Sequence, residues 1–339
     1  MILLSRRAAC LALLGFCAGL PAAEPGFDLA REDIQRFIST VAKNHAFERD
    51  ELITVLRDAV PQQPILELIA KPAERTLAWW EYRSRFLTQA RIEAGTQLWN
   101  EQREPLERIA RERGVPPEYL VAIAGVETFY GRIMGRYRVL DALATLGFDY
   151  PPRAEFFRKE LEQFLLLARE ERLDPRLPMG SYAGAMGAGQ FMPSSLRRYA
   201  VDGDADGTRN LREQWPDVFA SIANYFVAHG WRSGRPVLAE TSVDGAADAP
   251  EDARVALRDT IASLRKRGYR FDTTLPDSAR AMLVPAQLEQ QLSWRIGFQN
   301  FYVITRYNRS PLYAMAVHDL AQALVDRQRN PPLPPAAAP

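Results

Sequence analysis

The chemistry in this 339-residue chain centres on one acid in an apolar stretch. In Ala124-Gly125-Val126-Glu127-Thr128-Phe129-Tyr130-Gly131, Glu127 follows Ile123 by four residues and Leu120 by seven. A helix over this stretch places all three on one face. A carboxylate that extends an apolar stripe is unusual. Partial burial would favour its protonated form, the state a general acid needs. Gly131 lets the helix end just beyond it. Taken alone, this glutamate also reads as a helix-end surface residue or as one half of a buried ion pair.

Three further constellations surround that acid in the sequence. Residues 180–189 hold four glycines and three alanines, followed by Gln190-Phe191-Met192-Pro193. Such a run is a loop in which backbone lies close to something, a polymer or simply a tight turn. Ser181 and Gln190 offer hydrogen bonds there, and Phe191 a wall. An aromatic and amide set comprises Tyr82 with Trp79 and Trp80, Tyr225 beside Asn224, Tyr307-Asn308, and Tyr313. Flat aromatic faces and amide donors suit sugar rings and N-acetyl groups, although a tyrosine taken alone is more often core.

Asp202-Gly-Asp204-Ala-Asp206-Gly207-Thr208-Arg209-Asn210-Leu-Arg-Glu213 fits a calcium EF-hand loop. Acids stand at positions 1, 3 and 5, Gly at 6, Thr208 at 7 and Glu213 at 12. Arg209 replaces the usual apolar residue at position 8, and Pro216 delays the exit helix. Asp217 therefore competes with Glu213 as the last ligand. The rest of the chain holds no second such loop, which points to one structural ion rather than a sensor pair. A solvated acidic turn is the alternative.

The elements that must position these groups read as mainly helical. Helical spacing runs through Phe27 to Arg57 and again from Trp79 through Leu98. Gly114 and Pro117 separate a helix over 99–113 from one over 117–129, with glycine past one end and proline in the next first turn. Further helices are predicted over 155–172 and 313–327. Between about 237 and 290 the pattern changes to short strands, Thr241–Val243, Tyr269–Phe271 and Met282–Val284, around a helix over 253–267. The predicted organisation is a helical region over 24–100, a core over 101–236 that includes the acidic loop 202–217, a small inserted α/β domain over 237–291, a return to the core over 292–328, and a Pro/Ala tail over 329–339. The fold class is mainly α, formally α+β.

Composition narrows the function. Hydrophobic residues make up 47% and charged residues 25%, a soluble globular mix. With 43 basic and 42 acidic residues the chain has no basic field, which excludes nucleic acid as partner. His45, His229 and His318 are far apart, and Cys10 and Cys17 both lie in the first 20 residues. Neither a Cys₄ zinc site nor a disulfide framework is available. Residues 1–23 read as an export signal: Arg6 and Arg7, an apolar run from Ala8 to Leu20, then small residues before Glu24. Cleavage near Ala23 removes both cysteines, which suits an oxidising compartment. Leu14-Gly15-Phe16-Cys17 loosely matches a lipoprotein box, with Phe16 large for its place, so a lipid anchor on Cys17 competes with a free periplasmic protein.

Together the motifs resemble the lytic murein transglycosylase B family, glycoside hydrolase family 103. The resemblance spans roughly residues 79–326. It rests on Gly125-Val-Glu127-Thr, Leu140-Asp-Ala-Leu-Ala-Thr-Leu, Gly187-Ala-Gly-Gln190-Phe-Met-Pro-Ser-Ser195, Ala223-Asn-Tyr-Phe-Val-Ala-His-Gly-Trp231 and Thr305-Arg-Tyr-Asn308-Arg-Ser. It implies a lysozyme-like helical core, one structural calcium held among Asp202, Asp204, Asp206, Thr208, Glu213 and Asp217, and no organic cofactor. It implies Glu127 as catalytic acid and base. Tyr82, Ser181, Gln190, Phe191, Tyr225, Tyr307, Asn308 and Tyr313 fall where the family contacts glycan or supports the glutamate. The implied partner is peptidoglycan, with other cell-wall enzymes as further candidates, and the protein is expected to be a monomer. Two competing readings are a hydrolytic muramidase of the same fold, with Asp149 as second carboxylate, and a non-enzymatic, calcium-stabilised glycan-binding protein.

Overall fold

A computed structural model describes residues 26–70, 77–243 and 255–330. The export signal with Cys17, most of the Pro/Ala tail and residues 244–254 of the inserted segment lie outside the described residues.

Five helices open the chain: α1 (Glu32–His45), α2 (Arg49–Arg57), α3 (Gln63–Ala70), α4 (Trp79–Phe86) and α5 (Gln89–Glu101). The continuous periodicity of residues 27–57 is interrupted at Ala46, whose left-handed backbone (φ 51°) ends α1. α6 (Arg103–Arg113) and α7 (Pro117–Thr128) follow. The predicted single helix over 99–113 is two, broken at Gln102 (φ −109°, ψ 22°). Pro105, in the first turn of α6, has no amide hydrogen to donate to the Glu101 carbonyl four residues earlier, which is where the helix breaks. Gly114 closes α6 in the left-handed region and proline opens α7, as their residue types require.

The core continues with β1 (Tyr137–Arg138), α8 (Val139–Asp149), α9 (Ala154–Glu170), β2 (Met179–Gly180), α10 (Pro193–Tyr199) and α11 (Trp215–Ala228). α7 lies at its centre, packed against α5, α6, α11 and a long C-terminal helix. Leu120 through Val126 are all buried. The face shared by Leu120, Ile123 and Glu127 is thus part of a helix whose middle is enclosed all round, with Glu127 partly exposed in its last turn.

The inserted segment comprises β3 (Leu238–Glu240), β4 (Ser242–Val243), β5 (Asp259–Thr260), α12 (Ile261–Lys266), β6 (Tyr269–Arg270), β7 (Arg280–Gln287) and β8 (Leu292–Gly297). An antiparallel sheet runs in the order β3-β8-β7-β5. It covers its own small core of Ile261, Leu264, Tyr269, Trp294, Ile296 and Phe298. Pro285 is tolerated within β7 because β5 pairs only at Arg280 and Ala281, which leaves its edge of the ladder free. Two expectations are corrected here. The predicted helix over 253–267 is only α12, started by a reciprocal cap in which the Thr260 hydroxyl accepts from the Ser263 amide (3.1 Å). Residues 292–297, assigned to the returning core, form β8 instead: their alternation of Trp294 and Ile296 is a strand period. α13 (Gln299–Tyr307) and α14 (Pro311–Arg329) then complete the core. Among the described residues no helix is long and apolar enough to cross a membrane.

Candidate active site

Glu127 is half-exposed between buried Val126 and Thr128. Its height in the site depends on where α7 stops. Phe129 (φ 50°) and Tyr130 (φ 58°) are both left-handed, followed by Gly131 (φ 77°). For non-glycine residues this conformation costs about 1–2 kcal/mol each, so the surroundings must impose it. The Phe129 amide donates to the Gly125 carbonyl (3.1 Å), and Tyr130 to Ala124 (3.0 Å). The Thr128 hydroxyl accepts from the Gly131 amide (2.9 Å) and donates to the Ala188 carbonyl (2.8 Å). Thr128 thereby ties the end of α7 to the glycine-alanine loop.

The Tyr313 hydroxyl donates to Glu127 Oε1 at 2.6 Å. Burial, and then the negative Glu127, push this phenol well above its ordinary pKa, so it stays a donor throughout the working pH range. Tyr313 is placed by two short-range bonds. The Asn308 side-chain oxygen accepts from the Ser310 amide (3.2 Å), and the Ser310 hydroxyl caps α14 by accepting from the Tyr313 amide (3.3 Å). Tyr82, buried on α4, is near enough to raise the Tyr313 phenol further.

Tyr307 donates to the Gly189 carbonyl (2.6 Å) and Tyr225 to the Arg306 carbonyl (2.6 Å). Burial raises both phenols, Tyr225 to about 12. Their rings lie 4.9 Å apart, and Phe191 meets both edge-on at 5.6 and 6.0 Å. This cluster anchors the loop from below. A Cβ at Gly189 would lie 3.0 Å from the Tyr307 hydroxyl, and one at Gly187 2.6 Å from the Leu211 carbonyl. The small residues therefore let the loop sit on its supports. Ser181 closes the other end, its hydroxyl accepting from the Ala185 amide (3.0 Å). The Gln190 amide donates to the carbonyls of Met134 (3.2 Å) and Gly187 (3.0 Å). The structure thus sets Tyr313 on Glu127 and Tyr82 near Tyr313, with Ser181, Gln190, Phe191, Tyr225, Tyr307 and Asn308 building the glycine-alanine loop and the helix ends that support it. Trp79 is different. It is 1% exposed and presents no face to a groove, because α4 turns it inward on the same side as Tyr82.

Asp149 accepts from the Arg31 guanidinium at 2.6 Å. That ion pair joins it to the N-terminal helical region rather than to Glu127.

In the acidic loop the carboxylates of Asp202, Asp204 and Asp217 offer oxygens within 4.8 Å of one another. Asp217 is fully buried, and its two oxygens accept from the amides of Gly203 and Asn210, both at 2.7 Å. Burial raises its pKa, with the negative Asp204 and Asp202 adding to the rise. Three like charges brought together against burial are the donor set a divalent cation satisfies. Asp206 instead accepts from the amide (2.8 Å) and hydroxyl (2.7 Å) of Thr208, and Glu213 is exposed outside the cluster.

Sequence reasoning left Thr128 and Arg91 without roles. Thr128 stands next to Glu127, but its bond to Ala188 spans 60 residues. Arg91 lies 34 residues before the Gly125 carbonyl it reaches, and no local pattern announces such a contact.

A family model described as the transglycosylase SLT domain matches residues 30–322. The chain is 42% identical over 309 residues to the membrane-bound lytic murein transglycosylase B of Escherichia coli (strain K12), covering 88% of this chain and 84% of that one. The structure superimposes on the lytic transglycosylase SltB1 of Pseudomonas aeruginosa with a TM-score of 0.85 and 46% identity, over 88% of this chain and 98% of that chain. It also matches the Escherichia coli lytic transglycosylase Slt35 in complex with calcium, with a TM-score of 0.82 and 40% identity over 91% of this chain and 97% of that one. The lysozyme-like core implied by the motifs is therefore the fold. On the breadth of these matches, the chain belongs to the family of SLT-domain lytic murein transglycosylases.

Proposed function

We propose that Glu127 alone supplies the acid and the base for non-hydrolytic cleavage of the MurNAc-β-1,4-GlcNAc bond of peptidoglycan strands. The observation that carries this reading is the Glu127 carboxylate, held by a buried phenol donor, Tyr313, in the last turn of a helix whose middle is enclosed. Ordinary glycosidases need two carboxylates, about 5–5.5 or 6.5–9.5 Å apart. Asp149, the candidate second, is engaged by Arg31.

Protonated Glu127 gives its proton to the bridging oxygen as the C1–O4 bond breaks, freeing the GlcNAc 4-hydroxyl. The MurNAc N-acetyl oxygen shares the positive charge that develops at C1. Glu127, now ionised, takes the proton of the MurNAc C6 hydroxyl, whose oxygen closes on C1. The product is a 1,6-anhydro-MurNAc end, Glu127 is again protonated, and no water is consumed. Tyr313 stabilises the ionised form between the two steps. Ser181, Gln190, Phe191, Tyr82, Tyr225, Tyr307 and Asn308 line or support the groove in which the glycan lies.

One structural calcium fits the acidic loop, held by Asp202, Asp204 and Asp217. Asp206 and Thr208 complete the loop from the outer side, and Asp217 rather than Glu213 serves as the closing ligand. The ion holds residues 202–217 in shape and takes no part in the reaction. The substrate lies outside the cytoplasm, in keeping with cleavage near Ala23 and a free periplasmic enzyme, with lipidation at Cys17 the alternative. N-terminal sequencing of the mature protein decides between them.

Digestion of purified sacculi, with the released ends identified by mass spectrometry, tests the reaction. Fragments one water lighter than reducing muropeptides, absent with Glu127→Gln, are expected. Reducing ends would mean hydrolysis. Binding to sacculi without released fragments would mean a scaffold.

A further inference from the structure

We propose that Arg91 is a positioning residue for the reaction, a two-sided clamp that fixes where the catalytic helix ends and so where the Glu127 carboxyl stands. The inference rests on the reading of Glu127 as the acid and base.

Thr88 caps α5 by accepting from the Arg91 amide (3.2 Å), which places Arg91 in the first turn. From there its side chain crosses to α7. Nε donates to the Gly125 carbonyl at 3.1 Å, the same carbonyl that takes the Phe129 amide. Nη1 donates to the Arg85 carbonyl at the end of α4. The guanidinium plane is covered by Phe86 at 5.1 Å and by Phe129 at 4.9 Å. Arg91 therefore holds both features of the helix end at once, its last-turn carbonyl and the ring of its first left-handed residue.

A structural arginine of this kind normally meets a carboxylate. Among the described residues none pairs with Arg91, although burial lowers its pKa. Its charge faces the carbonyl end of α7, where a cation is favoured, and the buried Tyr130 hydroxyl. Tyr130 itself occupies a notch between the two helices. A Cβ at Gly95 would lie 2.3 Å from its hydroxyl, and one at Gly125 2.7 Å from its ring. Two consecutive non-glycine residues in left-handed conformation keep that conformation only while something outside holds them. Arg91 spans α4, α5 and α7 at that point. Released, the last turn of α7 can relax, and Glu127 moves with it relative to Tyr313.

Misplacing a reacting group affects turnover rather than binding. Arg91→Ala should lower kcat for release of anhydro ends from soluble glycan chains by about ten- to a hundredfold. KM should stay within about twofold of wild type, because the groove residues are untouched. Added guanidinium ion should restore part of the lost kcat in Arg91→Ala and leave wild type unchanged. Wild-type kcat in folded Arg91→Ala, a loss carried by KM instead, or a loss that follows the unfolded fraction and ignores guanidinium would each overturn the proposal. Arg91→Lys carries the test if Arg91→Ala does not fold. Lysine keeps the charge but not the flat stacking surface or the planar donor fork that reaches two carbonyls, so kcat should still fall, and wild-type kcat there would overturn the clamp. Wild-type enzyme run alongside keeps the two claims apart. Failure of wild type to release anhydro ends contradicts the reaction, whereas equal rates for wild type and variant contradict only Arg91.

Discussion

The phenol of Tyr313, 2.6 Å from the Glu127 carboxylate, is a direct means by which the rest of the molecule acts on the acid proposed here. A hydrogen bond to a charged group contributes about 1.5–3 kcal/mol. Tyr313→Phe should therefore lower kcat by about ten- to a hundredfold while leaving the fold intact, as steady-state rates on soluble glycan will show. An unchanged rate would mean that the bond does not matter between the two proton transfers. Tyr130 should behave in the opposite way. Its hydroxyl is buried and has no hydrogen-bond partner among the described residues, so Tyr130→Phe is expected to leave thermal stability unchanged or raise it by up to about 1 kcal/mol, read as a rise in Tm. A clear fall in Tm would show that the hydroxyl is satisfied after all. The place of Glu127 on the face of a helix was legible in the sequence because its spacing from Ile123 and Leu120 is local. The Tyr313 bond was not, since its partners lie 186 residues apart and only the packing of α14 on α7 joins them.

The packing of α5 against α7 depends on the absence of side chains at Gly95 and Gly125. Gly95→Ala would place a methyl 2.3 Å from the Tyr130 hydroxyl and 2.7 Å from Leu324 Cδ2. Overpacking of this kind costs about 1–3 kcal/mol. In the double variant, Tyr130→Phe should recover part of that loss, because the two sites share one contact. Denaturant unfolding of the four proteins of that cycle measures it, and strict additivity would contradict the notch. Element boundaries were readable where residue type decides them. Gly114 and the proline at the start of α7 are examples, as is the acidic loop between α10 and α11. The break at Gln102 carries such a mark as well, Pro105 in the first turn of α6, although the helical spacing of residues 99–113 runs across it. β8 was missed because a six-residue strand with Trp294 and Ile296 buried is short enough to be absorbed into a neighbouring helical pattern.

At the scale of the whole molecule, two titratable features link the core to conditions. The calcium proposed for the acidic loop would raise stability by mass action, about 3 kcal/mol at a hundredfold excess over Kd. Adding a chelator should lower Tm, and that calcium-dependent shift should disappear in Asp217→Asn but survive in Glu213→Gln. The reverse pattern would make Glu213 the closing ligand. His318, on α14, shares a 2.8 Å hydrogen bond with Tyr119 of α7. Burial lowers its pKa from 6.5 to about 4. The unfolded chain takes up the proton near 6.5, so the stability gained from keeping this imidazole neutral is complete above that pH. It is lost as pH falls toward 4, by up to about 3 kcal/mol. Unfolding free energies across this window should show that slope, and His318→Gln should flatten it. An unchanged slope would place the acid sensitivity elsewhere. The central claim, however, concerns water. Sacculi digested in water enriched in oxygen-18 distinguish the two outcomes by mass. The account predicts anhydro-MurNAc ends that carry none of the label. New MurNAc ends that carry one labelled oxygen each would contradict it, because water would then have taken the place assigned to the C6 hydroxyl.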